Sequence, residues 1–300
     1  KKYMKKAVVY VKGGFGNQLF QLSFANFLKQ NKCKVKISTD LMVKKLNHTP
    51  RQLILPLSYF GFKEENKFNS IKFKTLNKLH NSSATKFLNM HESLSAYKYT
   101  KDNDEYEKIK QKKLYFNGYW KNQKYIEFSR EFIISSLKKD PTLNYGFQNT
   151  NSNALIHVRR RDFIANDWQL DISYYKESID LLFSNYGNVK FDVFTDDREW
   201  VENSKIFKNA ENIYSQSQGD SITDDRPNLY QKDDKNETIS TFSKMLEYQH
   251  FISSNSSFAF WAAFLKSTEK SFVTVPDPWF YRGSHVTLKK DNWKVVKNKR

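Results

Sequence analysis

The sequence predicts an α/β protein built on mainly parallel, doubly wound sheets, and three observations support this prediction. Short apolar runs typical of buried strands alternate with longer segments whose apolar residues recur at helical spacing. Strands that alternate with helices form parallel sheets, because each crossover helix packs back onto its sheet. A polar, Asn-rich stretch over residues 142–153 separates two such series. We therefore expect two domains, residues 1–150 and residues 151–300.

The first half opens with a predicted strand, residues 7–11, that runs through a glycine-rich turn into a helix. This geometry turns backbone N–H groups and a helix N-terminus toward an anion, although the glycine spacing matches neither a dinucleotide fingerprint nor a P-loop. The side-chain amides of Asn17 and Gln18 suit hydroxyls or a phosphate edge, and a tight strand–helix turn is the alternative. The later predicted elements are a strand at 35–38, an aromatic strand at 114–120 and a helix at 127–139.

The second half is organised around a buried strand, residues 154–158, that leads into Arg159, Arg160 and Arg161. Desolvated guanidinium groups need anionic partners, so the arginines predict an anion site, and a surface ion-pair cluster is the alternative. The remaining predicted elements are helices at 173–186, at 242–250 and from 255 onward, strands at 191–195, 251–253 and 271–275, and a surface loop at 215–238.

Three of these strands end in polar side chains of complementary chemistry. One ends in His157 and the arginines, and the next ends in Asp196 and Asp197. The third ends in a serine-rich turn whose candidate ligands are Ser254, Asn255, Ser256, Ser257 and Phe258. Because a parallel sheet gathers its carboxyl ends at one edge, these groups predict a nucleotide-diphosphate site that needs no metal. Taken alone, Ser254 and Ser256 fit helix caps equally well.

Composition limits the cellular setting. The single cysteine fits a reducing compartment, and the longest apolar run, residues 258–265, is far too short to span a membrane. Residues 1–150 hold 29 Lys and Arg against 11 Asp and Glu, whereas residues 151–300 hold 21 of each. We expect a cytoplasmic protein whose basic half faces an anionic partner such as the inner membrane surface, and a generally lysine-rich surface explains the excess equally well. A basic nucleic-acid-binding protein is the alternative outside the enzymes, although no RNP, helix-turn-helix, zinc-finger or KH pattern supports it.

Five motifs, taken in order, resemble those of the α-1,2-fucosyltransferases of glycosyltransferase family 11. They are residues 13–21 (GGFGNQLFQ), 115–120 (YFNGYW), 157–162 (HVRRRD), 194–197 (FTDD) and 253–261 (SSNSSFAFW). The chain departs from the family pattern at Arg161, where glycine is usual, and at Ala262 and Ala263, where Trp or Gly is more frequent. The resemblance covers nearly the whole chain.

The resemblance implies a GT-B-like fold, in which two Rossmann-type domains face each other across a cleft. The first half is then the acceptor side, and the second half binds GDP-β-L-fucose without a metal or other cofactor. It implies diphosphate contacts from Arg159 and Arg160, a guanine-side role for His157 and Asp197, and an approach to the donor by Asn17 and Gln18.

Inverting transfer needs a base for the acceptor hydroxyl, and both Asp162 and Asp167 follow the arginines. Asp167 is preferred, because related α-1,6-fucosyltransferases place an acidic residue at a similar position, and Asp162 is expected to hold an arginine in place. The expected acceptor is a galactose-terminated glycan of a bacterial surface polysaccharide or O-antigen, with a lipid-linked form as one version. Transfer of another GDP-sugar, or formation of another linkage, is the alternative within the enzymes.

Overall fold

The computed structural model describes residues 5–42, 51–65, 97–100, 113–215, 234–281 and 287–299. Its strands are β1 (Lys6–Tyr10), β2 (Lys34–Ser38), β3 (Tyr97–Thr100), β4 (Lys113–Phe116), β5 (Asn151–Val158), β6 (Phe191–Thr195), β7 (Ala210–Ser215), β8 (Tyr248–Ile252), β9 (Val273–Asp277) and β10 (Lys294–Lys297). Its α-helices are α1 (Phe15–Gln30), α2 (Gln123–Phe128), α3 (Arg130–Leu137), α4 (Pro141–Gln148), α5 (Arg161–Ala165), α6 (Ile172–Tyr186), α7 (Arg198–Asn203), α8 (Lys235–Met245) and α9 (Ser257–Lys266). Short 3-10 turns lie at Leu57–Phe60 and Lys205–Phe207.

The described strands form two sheets, and every pairing between them is parallel. The first sheet has the order β2-β1-β4-β3, and the second has the order β10-β9-β8-β5-β6-β7. This arrangement confirms the prediction of an α/β protein with parallel sheets. The central strand β5 is buried from Asn153 to Val158, as expected for a strand with neighbours on both sides and helices on its faces.

The chain divides into two compact units. The first comprises residues 1–46 and 50–136, and the second comprises residues 47–49 and 137–300. Each unit holds one of the two sheets. The division falls inside α3, between Ser136 and Leu137, and the border predicted at residue 150 lies within the second unit.

The stretch predicted as a linker, residues 142–153, is instead helix α4 followed by the start of β5. The Asp140 side chain caps α4 by accepting from the backbone N–H groups of Thr142 and Leu143, and Pro141 occupies the first turn. Pro is favoured there because its missing N–H would have no partner within the helix. The polar composition of this stretch concealed a capped helix that packs against α8.

Several other predicted boundaries were wrong. The helix predicted over 127–139 is two helices separated at Ser129, whose buried hydroxyl donates to the Ser23 carbonyl. The strand predicted over 114–120 ends at Phe116, and the helix predicted over 242–250 ends at Met245, where it gives way to β8. The sequence interpretation missed β3, α5, α7, β7 and β10. Of the loop predicted over 215–238, residues 216–233 lie outside the described residues.

No helix among the described residues combines the length and the apolar composition that a bilayer crossing requires. Cys33 is a buried free thiol. Residues 66–96 and 101–112, which carry part of the positive charge of the first half, lie outside the described residues.

Candidate functional site

Three adjacent strands of the second sheet, β8, β5 and β6, bring the predicted site residues together. The register aligns Val158 with Thr195 and Ile156 with Ile252, so the three strands end at nearly the same level. The polar residues that follow each strand therefore meet at one edge of the sheet, where ligands of parallel α/β sheets bind. The prediction of three converging strand ends is correct for this unit.

Arg159 is held between two carboxylates. One terminal nitrogen lies 2.8 Å from Asp162 Oδ1, and the other lies 3.1 Å from Asp196 Oδ2. Asp196 is buried, and this burial raises the pKa of its carboxyl while the charge of Arg159 opposes the rise. The role expected for Asp162, holding an arginine in place, matches the position of its side chain.

Arg160 is oriented by a second set of contacts. Its Nε donates to Asp197 Oδ2 at 2.9 Å, its backbone N–H donates to Asp196 Oδ1 at 2.8 Å, and its guanidinium carbon lies 4.0 Å from the centre of the Trp200 ring. The side chain keeps 18% of its surface exposed. Among the described residues, none accepts a hydrogen bond from its terminal amino groups. The contacts fix one edge and one face of the guanidinium and leave the other edge for an anionic ligand.

Asp197 does more than the resemblance implies. Its Oδ1 accepts from the Trp200 backbone N–H at 3.2 Å and caps helix α7, while its Oδ2 accepts from Arg160. Each carboxylate oxygen of Asp197 therefore already accepts one hydrogen bond, and Asp197 orients Arg160. Its guanine-side role stays a prediction, because a carboxylate oxygen can accept a second hydrogen bond.

His157 lies buried at the same strand end. Its Nδ1 is 2.7 Å from the Ser254 hydroxyl, which follows the neighbouring strand β8. Burial, together with the positive charge of Arg159, lowers the pKa of His157 to about 3. The imidazole is therefore neutral at physiological pH. Its Nε2 can donate or accept one hydrogen bond with a ligand, but the ring contributes no positive charge to the site.

The serine-rich turn after β8 divides its residues among different tasks. Ser254 contacts His157, and the buried Asn255 donates from Nδ2 to the Trp168 carbonyl at 2.7 Å. Ser256 is the N-cap of α9, where its hydroxyl accepts from the Phe258 N–H at 3.3 Å. Ser257 is the first residue of that helix, and the Phe258 ring lies 5.1 Å from Phe242 on α8.

Asp167, the preferred base, lies just beyond α5 with a φ of 57°. This left-handed conformation is uncommon outside glycine, although Asp adopts it more readily than most residues. The Asp167 backbone N–H donates to the Ile164 carbonyl at 3.1 Å. The half-buried Asp167 and the neighbouring Trp168 therefore lie in the turn that follows α5.

The first unit places Asn17 and Gln18 at the start of α1, but the two side chains differ in role. Gln18 is buried, donates to the Gly13 and Gln52 carbonyls at 3.0 and 2.9 Å, and accepts from the Ile54 N–H at 3.1 Å. These bonds use both N–H groups of the Gln18 amide and give the side chain a structural role, and its predicted ligand-binding role stays a prediction. Asn17 is partly exposed, and its Oδ1 has no partner among the described residues.

Sequence reasoning missed two contributors to these strand ends. Trp200 packs on Arg160, and its position three residues after Asp197, one turn along a helix, is the signal that indicates it. In the first unit, Gln21 accepts from the Lys12 N–H at 2.9 Å and donates to the Gly118 carbonyl at 3.0 Å, which ties the turns after β1 and β4 together. Within the described ranges, no cluster of His, Cys, Asp and Glu has the arrangement of a metal site.

Two proteins from Escherichia coli are similar in sequence to part of this chain. An alpha-1,2-colitosyltransferase from Escherichia coli is 31% identical over 179 residues, which are 56% of this chain and 56% of that protein. The O-antigen biosynthesis glycosyltransferase WbnK from the same organism is 28% identical over 152 residues, which are 49% of this chain and 45% of that protein. The chain thus matches about half the length of these curated relatives.

Among solved structures, Arabidopsis thaliana FUT1 in complex with GDP aligns over 93% of this chain and 72% of its own, at 11% identity and a TM-score of 0.46. The family model described as glycosyl transferase family 11 matches residues 2–297, nearly the full length of the chain. The chain therefore belongs to glycosyl transferase family 11.

Proposed function

We propose that this glycosyltransferase is a galactoside α-1,2-fucosyltransferase that moves L-fucose from GDP-β-L-fucose to the 2-hydroxyl of a terminal β-galactoside, with inversion and without a metal. The observation that carries the proposal is the pair of oriented arginines, Arg159 and Arg160, at the shared edge of β5, β6 and β8. The second unit is then the donor side, and the first unit is the acceptor side.

The mechanism follows from where charge develops. As the sugar–phosphate bond breaks, negative charge collects on the β-phosphate of the departing GDP, so donors that meet it act most strongly in the transition state. The unused edge of Arg160 offers two parallel N–H bonds to that phosphate. Its anchored Nε avoids the reorganisation that a free side chain requires, and arginine takes the neutralising role that a divalent cation has in other transferases.

The acceptor hydroxyl must lose its proton as it attacks from the face opposite to GDP. Asp167 is the proposed base, because related α-1,6-fucosyltransferases place an acidic residue at a similar position. Asp167→Asn keeps the shape of the side chain and removes its basicity, so turnover falls by about a hundredfold or more while GDP binding is unchanged. Equal losses of turnover from Asp162→Asn and Asp167→Asn, with GDP binding kept in both, argue against this choice.

The proposed acceptor is a galactose-terminated glycan of an O-antigen or another surface polysaccharide, free or lipid-linked. One relative is named an O-antigen biosynthesis glycosyltransferase, which supports this class of acceptor. The proposed location is cytoplasmic, with peripheral contact to an anionic inner membrane through the basic first half. Flotation with anionic vesicles at low salt tests the membrane contact, and failure to bind them removes it.

A second donor has specific support, because one relative is named an alpha-1,2-colitosyltransferase. A panel of GDP-sugars, each supplied with the same β-galactoside acceptor, separates the two donors by turnover. Linkage analysis of the product then tests the 1,2 connection. If kcat/KM is about tenfold higher for another GDP-sugar, that sugar replaces fucose as the proposed donor. The proposed role of the arginines is then unchanged.

The deciding experiment combines calorimetry with one pair of variants. GDP is expected to bind more tightly than UDP or ADP, and Arg160→Ala is expected to weaken GDP binding and to abolish transfer while the fold persists. Arg198→Ala is the matched control, because Arg198 is an exposed arginine of α7 that pairs with Glu202 on its own helix. Near-normal turnover in Arg160→Ala overturns the arginine assignment.

A further inference from the structure

A group of aromatic side chains lies beside the arginines and has no role in the mechanism proposed above. Phe163, Trp168 and Phe280, here called the aromatic platform, contact one another with ring centres 5.0 to 6.1 Å apart. Phe163 belongs to α5, Trp168 follows that helix, and Phe280 follows β9. Three separate segments thus contribute to one apolar surface.

The platform is partly open to solvent. Trp168 keeps 38% of its surface exposed, and neighbouring Ile164 keeps 46%. Exposure of apolar surface to water is unfavourable, so a contiguous apolar patch on a folded protein usually marks a binding site.

The platform is also held rigidly. The Trp168 backbone N–H donates to the Phe163 carbonyl at 2.8 Å, and the Trp168 carbonyl accepts from the side chain of Asn255 at 2.7 Å. Asn255 is buried at the end of β8, so the strand that forms one wall of the arginine site also fixes Trp168. These bonds fix the backbone of Trp168, and its ring contacts Phe163 and Phe280. A ring held in this way offers a preformed surface that loses little conformational entropy on binding.

The platform is continuous with the diphosphate site. The guanidinium carbon of Arg159 lies 5.7 Å from the centre of the Phe163 ring, and Phe163 touches Trp168. In a nucleotide-sugar donor the pyranose is bonded directly to the β-phosphate, so it must lie next to whatever binds that phosphate. A pyranose has a face of C–H groups that packs on an aromatic ring, and a 6-deoxy sugar adds a methyl group to its apolar surface.

We propose that the aromatic platform is the subsite for the 6-deoxyhexose ring of the donor, with Trp168 as its stacking surface. This inference rests on the proposed function, since it takes the arginines to bind the diphosphate of the same molecule. It assigns binding of the nucleotide part and binding of the sugar part to different side chains, and that separation is measurable.

The test compares calorimetry of GDP and of GDP-β-L-fucose with wild type, Trp168→Ala and Trp168→Phe. Trp168→Ala is expected to weaken GDP-fucose binding by about tenfold and to leave GDP binding within about twofold, whereas Trp168→Phe keeps most of the affinity. Tyr145→Ala is the matched control, because Tyr145 is an exposed aromatic residue on α4, and both affinities should stay at their wild-type values.

Three outcomes overturn the inference: equal losses for GDP and GDP-fucose, no loss for either, or a change confined to the KM of the acceptor. Arg160→Ala keeps the two proposals distinguishable. If Arg160→Ala weakens both ligands and Trp168→Ala weakens neither, only the platform assignment fails. If Arg160→Ala binds both ligands as wild type does, the diphosphate site itself is wrong, and the platform assignment fails with it.

Discussion

The guanidinium carbon of Arg160 lies over the Trp200 ring, 4.0 Å from its centre. Trp200 is itself fixed, because its backbone N–H donates to Asp197, whose other oxygen accepts from Arg160. The three residues therefore form a closed set of contacts in which each holds another. Cation–π contacts contribute about 0.5 to 2 kcal/mol, enough to decide which way a partly exposed arginine points.

Trp200→Leu should therefore lower kcat/KM for the donor by about tenfold, because Arg160 loses one of its two constraints. Trp200→Phe keeps an aromatic face and should recover most of the activity. Steady-state kinetics and GDP calorimetry measure both effects. Phe207→Leu removes a ring that packs on Trp200 at 5.9 Å and is the matched control for general loosening. The same loss in Phe207→Leu as in Trp200→Leu contradicts a specific role for the tryptophan.

His157 should make the stability of the protein depend on pH in a defined direction. The folded state keeps His157 neutral down to a pKa of about 3, whereas the unfolded chain takes up a proton near pH 6.5. Stability contributed by this group is complete above pH 6.5 and falls as the pH is lowered toward 3. Relative to His157→Gln, wild type should lose about 1.4 kcal/mol of unfolding free energy per pH unit between pH 6 and pH 4.

Urea unfolding at several pH values measures this difference, and the variant cancels the contribution of the carboxylates. If the difference in unfolding free energy between wild type and His157→Gln stays constant across this pH range, the prediction is contradicted. The buried imidazole then takes up its proton in the folded state as well.

Gln18→Ala separates a structural role from a ligand-binding role. The substitution leaves two carbonyl groups and the Ile54 N–H without their side-chain partner, so unfolding free energy should fall by about 1 to 3 kcal/mol. Gln123→Ala, at a partly exposed glutamine that bonds Glu127 on its own helix α2, is the comparison and should change little. A raised KM for donor or acceptor, without loss of stability, supports a ligand-binding role for Gln18 instead.

Gly146→Ala tests the contact between α4 and α8. A Cβ at this position would overlap the Ser243 backbone carbonyl, which cannot move without shifting α8. Overpacking of this kind costs about 1 to 3 kcal/mol, so thermal and urea unfolding should show a clear loss. Tyr145→Ala, one residue earlier and exposed, should cost far less. Equal stability of Gly146→Ala and wild type contradicts the close approach of the two helices.

Some elements could be predicted because local pattern and tertiary environment agree. The strand at 191–195 was predicted with its observed ends, since five buried residues there form an isolated β-prone run. The helix predicted at 173–186 was placed one residue late, since the observed helix begins at Ile172 after its N-cap Asp171. The prediction of a linker over 142–153 was wrong, because the helix there is stabilised by a cap and by contact with a distant segment. Neither feature can be read from composition.

The candidate site shows the same limit. Alternation of strands and helices predicted that the arginines, the aspartates and the serines would share one edge. The pairing itself, with Arg159 between Asp162 and Asp196 and Arg160 on Asp197, depends on side-chain directions after the strands end. The structural hydrogen bonds of Gln18 escaped prediction for a similar reason, since their partner segment, residues 52–54, carries no motif.

The order β8-β5-β6 at the centre of the second sheet also bears on how the protein is made. His157 and Ser254, which meet across β5 and β8, are 97 positions apart in the chain, so this pairing waits until most of the unit has left the ribosome. Parallel sheets closed by such distant pairings fold slowly and expose an unpaired apolar strand in the meantime. Production at low temperature or with added chaperones should therefore raise the yield of native enzyme.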